Sequence, residues 1–408
     1  MRVLVLGGGG REHALCWRLG QTAEVFCAPG NPGIAEVGEL IKIDSEDGAA
    51  VSSACKALAI DLVVIGPERQ LFAGVADVVR ARGTMVYGPS ERCARIESSK
   101  AFAKAFMSEV GIPTAIYETF TDFSSAKKYI EESAGPLVVK ASGEALGKGA
   151  IVCETAQEAI DAAAEMLVEG KLGEAGKTIV VEERLRGREV SLMAICSGTD
   201  YRLLPPARDY KAVFDGGGGP NTGGMGAVSP VDVDDLDKLG EALVGPVLKK
   251  FADDGTPFRG TLYPGLMLTS HGPKVLEYNA RFGDPEAQAI LPRIRGDFAE
   301  ILHAAATGRA LPEVEVSSDA CVTVVIASQG YPRDYQRGVE LPDLAGLEGL
   351  SVFHSGTKFS GGKLVSNGGR VLALTACGPD ANLARDKIYS QIRRFEGGSW
   401  HFRRDIGT

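Results

Sequence analysis

Three short stretches of this sequence bring together residue types suited to phosphate and cation chemistry. The first is LEYNARFGDPE (276–286), in which Glu277, Asn279 and Arg281 are spaced two apart. On a β-strand such residues share a face, so carboxylate, amide and guanidinium point the same way. A carboxylate beside an amide oxygen is a hard-oxygen pair suited to a small divalent cation, which takes its other ligands from phosphate and water. Arg281 then stands ready to hold the anion. The bland alternative is an exposed polar strand face.

The second stretch is KASGEALGKGA (140–150), which lies between the apolar runs PLVVKAS (136–142) and AIVCET (150–155). Three residues separate Gly143 from Gly147, and Gly149 follows Lys148 where a G-x-x-x-x-G-K-[ST] loop needs Ser or Thr, so that loop is excluded. The spacing instead predicts a glycine hairpin, with Lys140 on the strand before it and Lys148 at its tip. Its backbone N–H groups and lysines can close over nucleotide phosphates as a lid. A solvated hairpin is the alternative reading.

The third stretch is LGGGGREHA (6–14), at the join of a strand and a helix. A G-x-G-x-x-G dinucleotide fingerprint fails, because counting from Gly7 or Gly8 puts Glu12 or His13 in the last position. A helix N-terminus that glycine lets a phosphate approach closely survives, with Arg11 as an extra donor. GPE (66–68) ends a neighbouring strand, so both loops should line one crevice. A weaker signal is VVEERL (180–185), whose backbone could bond an adenine at a hinge, with Glu189 downstream for ribose hydroxyls.

These residues need a scaffold, and 408 residues are enough for two to four domains. With 44% hydrophobic and 24% charged residues the chain is an ordinary globular one, which excludes fibrous and disordered classes. Its net charge of −9 argues against a nucleic-acid partner. No apolar run approaches the ~18 residues of a membrane span. MRVLVLGGGG has no cleavable apolar core, so a cytoplasmic protein without a membrane partner is expected. Eight cysteines and five histidines are scattered without C-x-x-C or paired-His spacing. They signal neither a zinc site, a disulfide framework nor a Ser-His-Asp centre, and the cysteines read as buried or incidental thiols.

RVLVLG (2–7), AEVFCAPG (23–30), DLVVIGPE (61–68) and TMVYGPS (84–90) read as strands, with helices over 11–20 and 74–83. Their continuous hydrophobicity predicts a parallel sheet covered on both faces. SKAFAKAFMSEVG (99–111) reads as a helix that starts at Ser and stops at Gly. The strands YETF, 136–142, 150–155 and 178–185, with helices near 123–133 and 156–169, predict a small α+β lobe. Strands 188–198, 262–270 and 273–281 predict a larger sheet carrying the glycine-rich segment 215–228. From about 314 a third unit follows, with strands 320–328, 351–359 and 369–378 and a helix over 380–393.

A lysine-bearing glycine hairpin, a V-E-E-x-L hinge followed by E-x-S, and a distal E-x-N-x-R strand, in this order, resemble the ATP-grasp superfamily of carboxylate–amine ligases. GGREHAL (9–15), APGNPG (28–33), GPE (66–68), SSKAF (98–102), GPNTGGMGA (219–227) and NARFGDPEAQ (279–288) are similar to the phosphoribosylamine–glycine ligase family. The resemblance runs from residue 1 to the C-terminus. It implies an α/β protein: an N-terminal doubly wound parallel-sheet domain (1–98), a central ATP-grasp fold (99–313) with a small α+β lid lobe (about 118–188), and a C-terminal α+β domain (314–408).

It also implies an ATP-dependent ligase of purine biosynthesis that joins glycine to 5-phosphoribosylamine through glycyl phosphate. Mg²⁺ or Mn²⁺ would sit on Glu277 and Asn279. Lys100, Lys140, Gly147, Lys148, Gly149, Glu182, Leu185 and Glu189 would bind ATP. Gly9, Gly10, Glu68, Asn221, Thr222, Gly223, Gly224, Asp284 and Glu286 would bind phosphoribosylamine. Arg281, Lys148, Lys211 and Asp209 would act in catalysis. Transient contact with neighbouring purine-pathway enzymes is a further implied partnership. The chain departs from the family pattern at Gly8 (usually Asn), Ser142 (Asp), Glu144 (Leu) and in D-Y-K-A (209–212, usually D-H-K-R), which points to altered affinity with the reaction retained. A ligase for another acid, or a non-catalytic nucleotide sensor, remain the rival readings.

Overall fold

The computed structural model of the protein describes residues 1–145 and 149–408. Strands β1 (Arg2–Gly7), β2 (Glu24–Pro29), β3 (Glu39–Leu40), β4 (Leu62–Ile65) and β5 (Met85–Tyr87) form a parallel sheet in the order β3-β2-β1-β4-β5. Val3 to Leu6 and Leu62 to Ile65 are buried along their whole length, as a sheet covered on both faces requires. The strand order reverses between β1 and β4, so a crevice opens beyond their C-terminal ends, where GGREHAL and GPE lie.

The second layer is a small antiparallel sheet of β6 (Tyr117–Phe120), β7 (Leu137–Ala141), β8 (Ala150–Cys153) and β9 (Ile179–Glu183), ordered β6-β9-β7-β8. Period two decides its faces. Leu137, Val139, Ala141, Ile179 and Val181 pack on helices Phe123–Glu132 and Ala156–Leu167. The intervening Val138, Lys140 and Glu182 line the main cavity. Both helices start at an acceptor side chain, Asp122 and Thr155, which satisfies otherwise unpaired N–H groups.

The larger sheet comprises β10 (Arg188–Ser191), β11 (Ala194–Ser197) and β12 (Asp200–Leu203). The segment beyond it forms β13 (Arg208–Asp209) and β14 (Gly226–Ser229), and the chain then returns as β15 (Arg259–Thr269) and β16 (Gly272–Asn279). The strand expected over 188–198 is interrupted at Leu192 and Met193, although both halves pair with β15. Pro264 faces the gap; Leu192 N–H reaches its carbonyl at 3.2 Å, but proline has no N–H to return.

The last sheet contains β17 (Ala320–Ser328), β18 (Ser351–His354), β21 (Arg370–Gly378) and β22 (Trp400–His401), while β19 (Thr357–Ser360) and β20 (Lys363–Ser366) form a separate hairpin. Two expectations change here. The strand read over 351–359 is two strands broken at Ser355-Gly356, where Gly356 packs against the Gly368 backbone with no room for a Cβ. The glycine-rich segment, expected on the larger sheet, is instead bracketed by β13 and β14, which extend the C-terminal sheet in the order β13-β14-β17-β21-β18. Among the described residues no helix is long and apolar enough to cross a membrane.

Candidate nucleotide and acyl-transfer site

One cavity of about 1570 Å³ lies where the small lobe, the larger sheet, the parallel-sheet domain and the C-terminal sheet meet. Lys100, Lys140, Gly149, Glu182, Leu185 and Glu189 line one part of it. Glu277, Asn279, Arg281, Asp209 and Lys211 line its floor, and Glu68, Asn221, Thr222, Gly223, Asp284 and Glu286 the far end. Gly147 and Lys148 lie outside the described residues. Gly9, Gly10 and Gly224 are not among the lining residues.

The lysines are positioned by secondary structure. Ser99 caps helix Lys100–Glu109, and the Ser142 carbonyl and hydroxyl accept the N–H groups of Lys100 and Ala101 at 2.8 and 3.1 Å. Ser142, one of the departures from the family pattern, thus joins β7 to the helix that presents Lys100. Lys104, one turn along that helix, makes an ion pair with Glu182 Oε2 at 2.5 Å, and Lys140 meets Glu182 Oε1 at 2.5 Å. All three side chains are buried. The structure therefore engages the Glu182 side chain, and its backbone lies in the sheet interior between Tyr117 and Val138. Leu185 lies two residues beyond the end of β9, and its N–H makes no backbone hydrogen bond among the described residues.

Glu277 and Asn279 end β16, whereas Arg281 lies beyond it and reaches back, donating from Nη2 to Asn279 Oδ1 at 3.3 Å. A bulge opposite Gly265 and Leu266 adjusts the register so that Glu277 faces Gly265. Glu277 makes no ion pair within 4.0 Å among the described residues. Burial pushes its carboxyl up, but Lys100 first, then Lys211, Lys140 and Arg281, hold it below the usual carboxylate range. Burial in turn lowers the Lys100 ammonium, with Glu277 opposing. Arg281 is fixed by Glu97 at 2.9 Å and Glu68 at 3.3 Å. Glu97 also accepts the Ala280 N–H at 2.7 Å, which sets the turn after β16.

Lys211 reaches Glu189 at 2.7 Å and Asp209 at 3.8 Å, so the expected ribose and substrate residues share one charge cluster. Burial pushes Asp209 up to about 7; Lys211 opposes this, while Glu286, Glu189 and Glu277 add to it. Burial lowers Lys211, but Asp209, Glu189 and Glu277 outweigh it and raise the ammonium. Glu286 is buried and accepts Ser191 Oγ at 3.0 Å and the Tyr263 hydroxyl.

At the far end Thr222 donates to the Lys211 carbonyl and accepts the Gly224 N–H, at 2.8 and 3.0 Å. Gly224 has φ +105°, and a Cβ there would lie 2.4 Å from Pro285 Cδ. Arg370 clamps the two loops: it pairs with Asp284 at 2.7 Å and bonds the Asp284 and Gly223 carbonyls. Gly9 donates its N–H to Glu12 at 2.6 Å, so this donor is already engaged. Gly10 packs where a Cβ would strike Ser355 and Gln288, which makes it a contact between domains. At Gly8 a Cβ would lie 2.6 Å from the Gly30 carbonyl oxygen, so this backbone has no room for the family's asparagine. Arg11 is buried against Glu12 and donates to the Phe282 carbonyl at 3.1 Å.

Sequence reasoning missed Lys104, Glu97, Tyr263 and Arg370. Only Lys104 carried a signal, four residues after Lys100 and so on the same helix face. The others find their partners far along the chain.

Comparison with known proteins agrees across the whole length. Residues 1–97, 98–287 and 321–408 match the N domain, the ATP-grasp (A) domain and the C domain of phosphoribosylglycinamide synthetase. A phosphoribosylamine–glycine ligase of Mesorhizobium japonicum is 44% identical over 416 residues, covering 100% of this chain and 98% of the relative. The trifunctional purine biosynthetic protein adenosine-3 of Gallus gallus is 44% identical over 419 residues, 100% of this chain but 42% of that protein. The crystal structure of phosphoribosylamine–glycine ligase from Thermotoga maritima superposes with a TM-score of 0.89 at 35% identity, covering 99% of this chain and 100% of that one. With all three domains matched and full-length relatives at this identity, the chain belongs to the phosphoribosylamine–glycine ligase family of ATP-dependent, ATP-grasp enzymes.

Proposed function

We propose that this cleft converts ATP, glycine and 5-phosphoribosylamine to ADP, phosphate and glycinamide ribonucleotide. The observation that carries the reading is the convergence of Lys100, Lys140 and Lys211 on the Glu277–Asn279 pair, with Arg281 in the same wall. A free carboxylate is a poor acyl donor because its leaving group would be oxide. Moving the γ-phosphoryl of ATP onto glycine gives glycyl phosphate, whose phosphate the amine of phosphoribosylamine then displaces. Such transfers need positioning and charge neutralisation more than a protein nucleophile.

Lys100 and Lys140 hold the α- and β-phosphates, with Lys140 oriented by Glu182. Gly147, Lys148 and Gly149 are assigned to the β- and γ-phosphates, the first two from the sequence alone. Leu185 N–H and the hinge backbone beyond β9 bond adenine, while Glu182, whose backbone is paired within the sheet, acts through Lys140; Glu189 takes the ribose. Glu277 and Asn279 fit a divalent cation: both donors are hard oxygens, and Glu277 is held in its ionised form with no ion pair within 4.0 Å among the described residues. The described residues contain no cluster of three acidic, His or Cys ligands, so phosphate and water complete the shell. Mg²⁺ or Mn²⁺ would neutralise phosphate charge there. Arg281 steadies the migrating phosphoryl and the acyl phosphate. Asp209 holds the glycine ammonium, with Lys211 beside its carboxylate. Asn221, Thr222 and Gly223, with Asp284, Glu286 and Glu68, frame phosphoribosylamine, while Gly224 shapes the loop behind Thr222 and the Gly9–Gly10 turn packs behind the cleft wall.

The units that carry this out are 1–98, 99–313 with the lid lobe about 118–188, and 314–408. The trifunctional purine biosynthetic relative from Gallus gallus supports a place in purine biosynthesis; transient contact with neighbouring enzymes of that pathway and a cytoplasmic location belong to this proposal. The test is ADP release with glycine, formate, alanine or bicarbonate, each with phosphoribosylamine generated in place. Glycine alone should drive turnover. A preference for another acid would overturn the substrate assignment, and no turnover with any acid would favour a nucleotide sensor.

A further inference from the structure

Cys321 and Cys377 lie directly opposite each other on β17 and β21. Val325 N–H bonds the Met225 carbonyl at 3.0 Å, so Val325, and with it Thr323 and Cys321, turns its backbone groups toward β14. Ser355 N–H bonds the Val371 carbonyl at 2.9 Å, which likewise turns Val371, Ala373, Thr375 and Cys377 toward β18. Across β17 and β21 the cysteines therefore form a non-hydrogen-bonded pair. In such pairs Cα atoms stand about 4.5 Å apart, within the range of roughly 4.4–6.8 Å that a disulfide spans. The next pair on this face, Thr323 and Thr375, already joins its hydroxyls at 2.8 Å. The cysteine sulfurs are 2.9 Å apart.

We infer that Cys321 and Cys377 form a redox modification site, closed to an intrachain disulfide by exchange with a small disulfide such as oxidised glutathione. Cys377 is the entry point, because it is partly exposed while the other seven cysteines are buried. The side-chain hydrogen bond between the two thiols holds Cys377 below its ordinary range against the opposing effects of burial and Asp319, and Arg295 and Arg293 add to this. Burial pushes Cys321 well up. The Cys377 thiolate attacks one sulfur of oxidised glutathione, forming a mixed disulfide and releasing one glutathione thiolate. Cys321 then gives up its proton, attacks the Cys377 sulfur and expels the second glutathione. Overall two thiols lose two electrons and two protons, and one oxidised glutathione becomes two reduced ones. Neither cysteine lines the cleft, so the modification acts on the C-terminal sheet, one strand from the glycine-rich segment.

The test uses the full-length protein, equilibrated in glutathione buffers of rising oxidised-to-reduced ratio, acid-quenched, alkylated and analysed by intact mass and non-reducing peptide mapping. The expected result is a chain that takes six alkyl groups instead of eight and has two fewer hydrogens, mapped to a 321–377 link and reversed by dithiothreitol. C321S should retain a glutathione adduct on Cys377 that does not resolve, and C377S should form neither product while keeping ligase activity. The wild-type mapping decides even if a variant folds poorly. A stable Cys377 adduct without the link, a link between other cysteines, or eight thiols still alkylated in the most oxidising buffer would overturn the inference.

Discussion

Replacing Glu182 with Gln removes the single negative charge shared by two buried ammonium groups. Lys104 and Lys140 both approach Glu182 at 2.5 Å, and the side chains concerned are 2–9% exposed. In Glu182→Gln the amide oxygen can still accept from one lysine, but the amide nitrogen then faces the other, which remains charged and unpaired. Breaking a buried pair in this way costs about 3–5 kcal/mol; the retained acceptor argues for the lower end, ~3 kcal/mol. At about 1.4 kcal/mol per decade, that is roughly a hundredfold loss of protection against amide hydrogen exchange in β6, β7 and β9. Because Lys140 would lose its orientation, the KM for ATP should rise about tenfold while that for glycine stays put. Adding Lys104→Met removes the orphaned charge and should restore ~1–2 kcal/mol, a coupling normal for contacting residues. Unchanged exchange protection together with an unchanged KM for ATP in Glu182→Gln would refute the assigned positioning role.

Two further outcomes follow from the same geometry. Gly224→Ala places a Cβ at φ +105° and 2.4 Å from Pro285; strain of about 1–3 kcal/mol should weaken phosphoribosylamine binding by roughly 5–150-fold and leave the KM for ATP unaltered, as steady-state kinetics would read. Asp209, pushed up to about 7 by burial, is protonated in the free enzyme below that pH. Its ionised form is assigned to the glycine ammonium, so kcat/KM for glycine should climb as pH rises through about 7, and Asp209→Asn should flatten that limb. In stability the sign is opposite: the fold binds a proton that the unfolded chain has released, so this group's contribution weakens between about pH 4 and 7.

The parallel sheet was legible because its strands are continuous apolar runs, and the small lobe because β-type runs alternate there with helix-length segments. What the sequence could not display were pairings set by distant chain. The glycine-rich segment reads equally well as an insertion in either sheet; only the pairing of Gly226–Ser229 with Cys321–Val324 assigns it. Glu97 looks like any helical surface glutamate until Arg281 is brought to it. Arg370 looks like a strand-end charge until Asp284, 86 residues earlier, arrives beside it. Spacing two apart did foresee that Glu277, Asn279 and Arg281 stay together, although Arg281 gets there by reaching back from a turn.

The most direct measurement follows oxygen. Glycine labelled with ¹⁸O in its carboxylate is turned over with ATP and phosphoribosylamine, and the released phosphate is analysed by mass spectrometry or ³¹P NMR. If the γ-phosphoryl passes to the glycine carboxylate, each phosphate carries one labelled oxygen. Phosphate without label, released at the rate of product formation, would contradict acyl phosphate formation in this cleft.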